Sequence, residues 1–91
     1  MNSNIETLQN SITNFQVLFL KYKSGIGVIS EREIEPLGLF FDQSEWKIVA
    51  FCRLRGEKRT FLLSRFYSLE VTNDGFAPNL FSLEEYFKRS L

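Results

Sequence analysis

The sequence contains no histidine, a single cysteine (Cys52), a single tryptophan (Trp46) and only two prolines. The missing histidine removes the commonest general base, the commonest metal ligand and the usual switch near neutral pH. One cysteine cannot close an internal disulfide, which points to a reducing compartment. The longest apolar run is roughly five residues, against the ~20 that a membrane-crossing helix needs. The opening stretch MNSNIETLQNSITN has neither a basic segment nor an apolar core, so no signal peptide is expected. A Gly-rich phosphate loop, a Ser-Lys pair and clustered inward carboxylates are also missing. These absences predict a soluble cytoplasmic domain that is not an enzyme and carries no cofactor or metal.

Ninety-one residues suffice for one domain and one core. Ten phenylalanines is a high number for that length, and large rings fill a small core economically. Ile5, Leu8 and Ile12 recur at helical spacing and predict a helix over residues 4–14. From Phe15 the pattern becomes extended. Val17–Tyr22 is apolar on both faces, as in a strand covered from both sides. A turn containing Gly25 and Gly27 leads to a strand over residues 28–35, in which Val28, Ser30, Arg32 and Ile34 share one face. Ile29, Glu31, Glu33 and Glu35 share the other, an acidic stripe expected to face water.

Pro36 ends that ladder or marks an edge position, and Leu37–Phe41 resumes it. Gly38 predicts a bulge or sharp bend. Asp42–Glu45 reads as the next turn, Trp46–Arg53 as a strand, Leu54–Glu57 as a tight turn and Lys58–Leu63 as another strand. A further strand spans Tyr67–Thr72, and Asn73-Asp74-Gly75 reads as a turn. Ser82 and Glu85 form a capping box ahead of Leu83, Tyr86 and Phe87, so a short helix begins there. The fold class predicted is mainly β: a small Sm- or SH3-like antiparallel barrel of five to six strands, with an N-terminal helix and a short C-terminal helix.

Charge is distributed unevenly. The chain is neutral, with 11 basic and 11 acidic residues, yet Trp46–Arg65 holds six cations against one acid. Such a concentration favours local binding of an anion over coating of a polyanion. Arg53, Arg55 and Arg59 fall around one turn, where guanidinium forks can meet phosphate oxygens and converge at one barrel end. The competing reading is a solvated surface in which they pair with Glu31, Glu33, Glu35 or Glu45. Tyr22 either faces a ligand, where a ring can stack on a base, or belongs to the core. Trp46 shares a row with Ile48, Ala50 and Cys52 and is expected to be core. Cys52 follows the same parity and reads as structural. Ser24 and Ser64 lie in turns, where serine usually bonds its own backbone.

The segments Glu31–Leu39, Trp46–Gly56, Arg59–Phe61 and Ser64–Phe66 together resemble the WYL domain family, named for a Trp-Tyr-Leu triplet at the start of a strand. Here the triplet is Trp46-Lys47-Ile48, with Lys47 in place of the aromatic ring. The resemblance runs from about Ile5 to Phe76. It implies an Sm-like barrel preceded by a helix, so that residues 1–91 form one domain: helix 4–14, barrel 15–72, and a linker and helix over 73–91 that can begin a further extension. It also implies a regulatory sensing module of bacterial transcription regulators or defence proteins, attached in a full-length regulator to a helix-turn-helix DNA-binding domain.

The expected ligand is single-stranded nucleic acid or a nucleotide-like anion, bound by Arg53, Arg55, Arg59 and Arg65 with Lys47 and Tyr22 at the margin. Arg65 matches the family's basic position beside the barrel. No membrane partner is expected. The alternative is an oligomerisation or protein-docking module, a homodimer included, using the first strand or the terminal helix.

Overall fold

The computed structural model describes residues 3–89. A helix, α1 (Ser3–Asn14), precedes five strands: β1 (Gln16–Lys23), β2 (Ile29–Asp42), β3 (Glu45–Cys52), β4 (Glu57–Leu62) and β5 (Phe66–Gly75). A 3-10 turn (Leu63–Arg65) links the last two strands, and a helix, α2 (Leu83–Arg89), follows. The strands form one antiparallel sheet in the order β4-β3-β2-β1-β5. Mainly β with a helix at each end is therefore the observed class. Residues 90 and 91, which the sequence reading included in the last helix, lie outside the described residues.

The core forms between α1 and the facing side of the sheet. Leu8 from the helix meets Leu18, Leu20, Ile34, Ile48, Ala50, Cys52, Phe61 and Leu63. Strand alternation explains the membership, since residues 48, 50 and 52 of β3 point one way. Val17, Leu18 and Leu20 are all fully buried, as expected for a strand covered on both sides. Position matters too: β1 lies between β2 and β5. That placement corrects the idea of β1 as a docking edge, because its hydrogen-bonding sides are already taken. The free edges among the described residues are β4 and β5.

The fourteen residues of β2 form one strand where two were anticipated. Its register against β3 slips between Pro36 and Gly38, so the chain bulges there and pairing resumes. Pro36 thus sits at a bulge, where its missing N–H does no harm, and does not end the ladder. Asn73-Asp74-Gly75 likewise does not reverse the chain. Gly75 still pairs with Gln16, and the Thr72 hydroxyl accepts the Asp74 N–H at 3.1 Å, a local bond that leaves the strand extended.

Trp46 departs from expectation most clearly. Its parity is that of the core row, but it stands at 39% exposure. It follows the tight turn at Gln43 and Ser44, both at positive φ, where the hairpin extends past the core. There it packs edge-to-face on its cross-strand partner Phe41, with ring centroids 5.3 Å apart.

The segment after β5 crosses the other side of the sheet. Leu83 and Phe81 lie so close to Gly38 that an added Cβ would sit 2.8 Å from Leu83 Cγ and 3.0 Å from Phe81 Cε2. Phe87 packs edge-to-face on Phe40, centroids 5.0 Å apart. Ser82 caps α2 by accepting the Glu85 N–H at 3.3 Å, one half of the capping box.

Candidate functional site

The register distributes the basic residues over both faces of the sheet. Arg59 pairs with Ala50 and therefore shares the core-side face with Phe61. Arg53 follows β3 on the opposite parity. Its Nε donates to Glu35 at 3.0 Å and its Nη1 to Glu33 at 3.2 Å. These hydrogen bonds, the Glu35 one foremost, together with the charge of both carboxylates raise the Arg53 pKa above its ordinary value. Arg53 thus makes two of the ion pairs that the solvated-surface reading anticipates. The acidic stripe of β2 supplies its counter-ions.

The remaining expected residues separate in the same way. Lys47 forms an ion pair with Asp42 at 3.6 Å and donates to Gln43 at 3.4 Å, both within its own hairpin. Arg59 is held along its own strand by Glu57 at 2.9 Å. Arg55 is exposed in the β3–β4 turn, where Arg55 and Gly56 both donate their N–H to the Cys52 carbonyl. Arg65 ends the 3-10 turn and lies over the β1–β2 turn, its Nη1 3.7 Å from where a Cβ on Gly25 would stand. Arg55 and Arg65 have no acidic partner among the described residues. Ser24 bonds its own turn, accepting the Val28 N–H, and Ser64 donates to Glu45 at 3.0 Å.

Tyr22 is half-buried with its hydroxyl engaged: the Leu62 N–H donates to it at 3.0 Å. Its ring meets Phe61 and Phe66 edge-to-face, with centroids 5.0 and 6.1 Å away. The core reading explains most of this residue, and only its margin remains for a ligand.

Sequence reasoning overlooked Arg32. It lies on the row of Ser30 and Ile34, so its stem enters the core side of β2. Nη2 donates to Ser30 Oγ at 2.7 Å and Nη1 to the buried Cys52 Sγ at 3.6 Å. The guanidinium carbon is 5.5 Å from the centre of the Phe61 ring. No carboxylate pairs with Arg32 among the described residues, and its buried Nε has no hydrogen-bond partner. The available signal was parity: an arginine in the same row as a core isoleucine needs a reason to be there.

A half-buried cation with neutral neighbours and a spare donor is costly, because burial strips water without returning a counter-charge. An anionic oxygen would satisfy both needs. Arg32 and Tyr22 share the Phe61 ring, Arg59 stands two residues along that face, and Arg65 adjoins Phe66 against Tyr22. Arg32, Arg59 and Tyr22 therefore share the core-side face around Phe61, with Arg65 following over the β1–β2 turn, while Arg53 and Lys47 lie on the other face.

No group of three or more metal-binding side chains occurs among the described residues, and no helix there is long and apolar enough to cross a membrane. The WYL domain family matches residues 3–71 of the chain. Among solved structures, proteasome accessory factor B/C (PafBC) of Arthrobacter aurescens is similar, with 28% sequence identity and a TM-score of 0.76. The similarity covers 80% of this chain but only 12% of PafBC. No curated protein sequence matches.

Proposed function

The chain belongs to the WYL domain family, and from that premise we propose that it is a regulatory module that senses single-stranded nucleic acid or a nucleotide-like anion. Family membership and the likeness to PafBC support the coarser part of this reading, a sensing domain of the kind found in transcription regulators. The finer part rests on one observation: Arg32 is half-buried, lacks an acidic partner among the described residues, and keeps an unused N–H donor.

In this reading Arg32 anchors one phosphate oxygen, with Arg65 and Arg59 contributing charge beside it and Arg55 at the rim. Arg59 must exchange Glu57 for the ligand, a small cost for an exposed pair. Arg53 is peripheral because a phosphate would have to displace two carboxylates from it. Lys47 is peripheral as well, paired within its hairpin. In a full regulator the bound anion would bias the arrangement of an attached helix-turn-helix domain, a coupling between two sites.

Fluorescence anisotropy of a labelled oligothymidylate tests this proposal. Binding at low salt should weaken with a log–log slope of about 0.7 per phosphate contacted. Arg32→Ala and Arg65→Ala should each reduce affinity severalfold, and Arg53→Ala should leave it nearly unchanged. Absence of binding at low salt, or equal affinity of Arg32→Ala and the parent, would overturn the assignment.

A second reading, self-association, gains one observation. The edge strand β5 leaves Tyr67 and Val71 exposed beside backbone with no partner strand among the described residues. A sedimentation coefficient that rises with concentration supports it; a constant monomer mass removes it.

A further inference from the structure

On the side of the sheet opposite Arg32 and Tyr22, an open groove of about 640 Å³ runs between β2–β4 and the segment leading into α2. Its size is that of a small-molecule site. Three rings line it: Phe51 from β3, Phe81 from the crossing segment and Tyr86 from α2. Phe81 and Tyr86 lie against each other, with centroids 5.9 Å apart and planes tilted by 49°.

The wall that carries these rings is built. Asn79 Oδ1 accepts the Phe81 N–H at 3.0 Å, Ser82 caps Glu85, and the bare Gly38 seats Leu83 and Phe81. Three charged side chains also line the groove. Glu35 is already neutralised by Arg53. Lys58 and Glu85 have no oppositely charged partner among the described residues, whereas Lys21, Lys47 and Glu35 on the same face are each paired locally. An aromatic floor flanked by one unpaired ammonium and one unpaired carboxylate is complementary to a small molecule that carries a ring and both charges.

We propose that this groove binds a small aromatic zwitterion, an aromatic α-amino acid being the simplest example. The ring would lie among Phe51, Phe81 and Tyr86, the carboxylate would face Lys58 and the ammonium would face Glu85. The site is separate from the anion site, and either can exist without the other.

The charges make the test two-sided. The probes are L-tryptophan, tryptamine, which keeps only the ammonium, and indole-3-propionate, which keeps only the carboxylate. Each is titrated into the chain and followed by amide ¹H–¹⁵N shifts. Tryptophan should move the amides of Phe51, Lys58, Phe81 and Tyr86. Lys58→Ala should weaken tryptophan and indole-3-propionate by about two- to fivefold, as for exposed ion pairs, and leave tryptamine unchanged. Glu85→Gln should weaken tryptophan and tryptamine and leave indole-3-propionate unchanged. Both residues are exposed, so neither variant threatens the fold. No shifts at these amides up to the solubility limit, or losses that ignore which charge the probe carries, would overturn the proposal.

Discussion

Replacing Gly38 with alanine adds one carbon and two hydrogens, and the structure states where that carbon goes. It would stand 2.8 Å from Leu83 Cγ, 2.9 Å from Leu83 Cδ2 and 3.0 Å from Phe81 Cε2. All three are well inside van der Waals contact, and Leu83 Cγ is a branch point that cannot swing aside alone. Gly38 has no positive φ, so alanine meets no backbone obstacle and should gain about 0.4–1 kcal/mol from a less flexible unfolded chain. Against this stands an overpacking cost of about 1–3 kcal/mol.

The net expectation is a loss of about 1–2 kcal/mol. For a domain of this size each kcal/mol lowers the melting temperature by roughly 4–8 °C. If the segment lifts away instead of straining, the Phe40–Phe87 pair is lost, worth about 0.5–1.5 kcal/mol, and Val49 loses its cover. Val49 is the register partner of Gly38, fully buried yet outside the main core. Thermal melts followed by circular dichroism, in the parent and in a Leu83→Ala background, measure the effect. Leu83→Ala removes two of the three close atoms, so Gly38→Ala should cost much less there, a non-additivity expected of touching residues. Equal shifts in both backgrounds, or a higher melting temperature in the parent, would refute the account of how Gly38 seats this segment.

Tyr22→Phe removes the acceptor of the Leu62 N–H, so stability should fall by about 1–2 kcal/mol in urea titrations, with faster hydrogen exchange at Leu62. Arg53 should remain charged and paired across the whole neutral and mildly alkaline range. Its charged form is favoured in the fold, so that contribution is complete below the ordinary guanidinium pKa and fades only as pH rises past the raised one. A double-mutant cycle of Arg53→Ala with Glu35→Gln should give the same coupling at pH 7 and pH 10, within the 0.2–1 kcal/mol typical of exposed pairs. Trp46 should emit as a solvent-exposed indole and be quenched readily by acrylamide, whereas a core tryptophan would be protected.

How much could be read in advance depended on whether the signal was local. The bulge at Gly38, the turn at Asp42–Glu45 and the cap at Ser82 each follow from a few neighbouring residues, and the structure has all three. Parity placed Ile48, Ala50 and Cys52 in the core correctly, yet failed for Trp46, because alternation says which face a residue takes and not whether the core extends that far. The charges were harder. Arg53 and Arg59 are near in sequence and fall on opposite faces, a separation that only the strand register reveals. Arg32 was visible as an arginine in an apolar row, but what surrounds it comes from Phe61 and Cys52, distant in the chain. Counting basic residues along a hairpin could not single out Arg32, a cation left without an acidic partner among the described residues.

Among the described residues β4 and β5 share no ladder, so the circumference of the domain is completed by the 3-10 turn and the single bond between the Tyr22 hydroxyl and Leu62. The domain is thus less a closed ring than a cuff fastened by one clasp, and the clasp is on a ring that shares Phe61 with Arg32. A ligand that pushes this phenol aside would slacken the whole girth, and one that presses it home would tighten it. The Leu62 amide is the natural gauge of that tension.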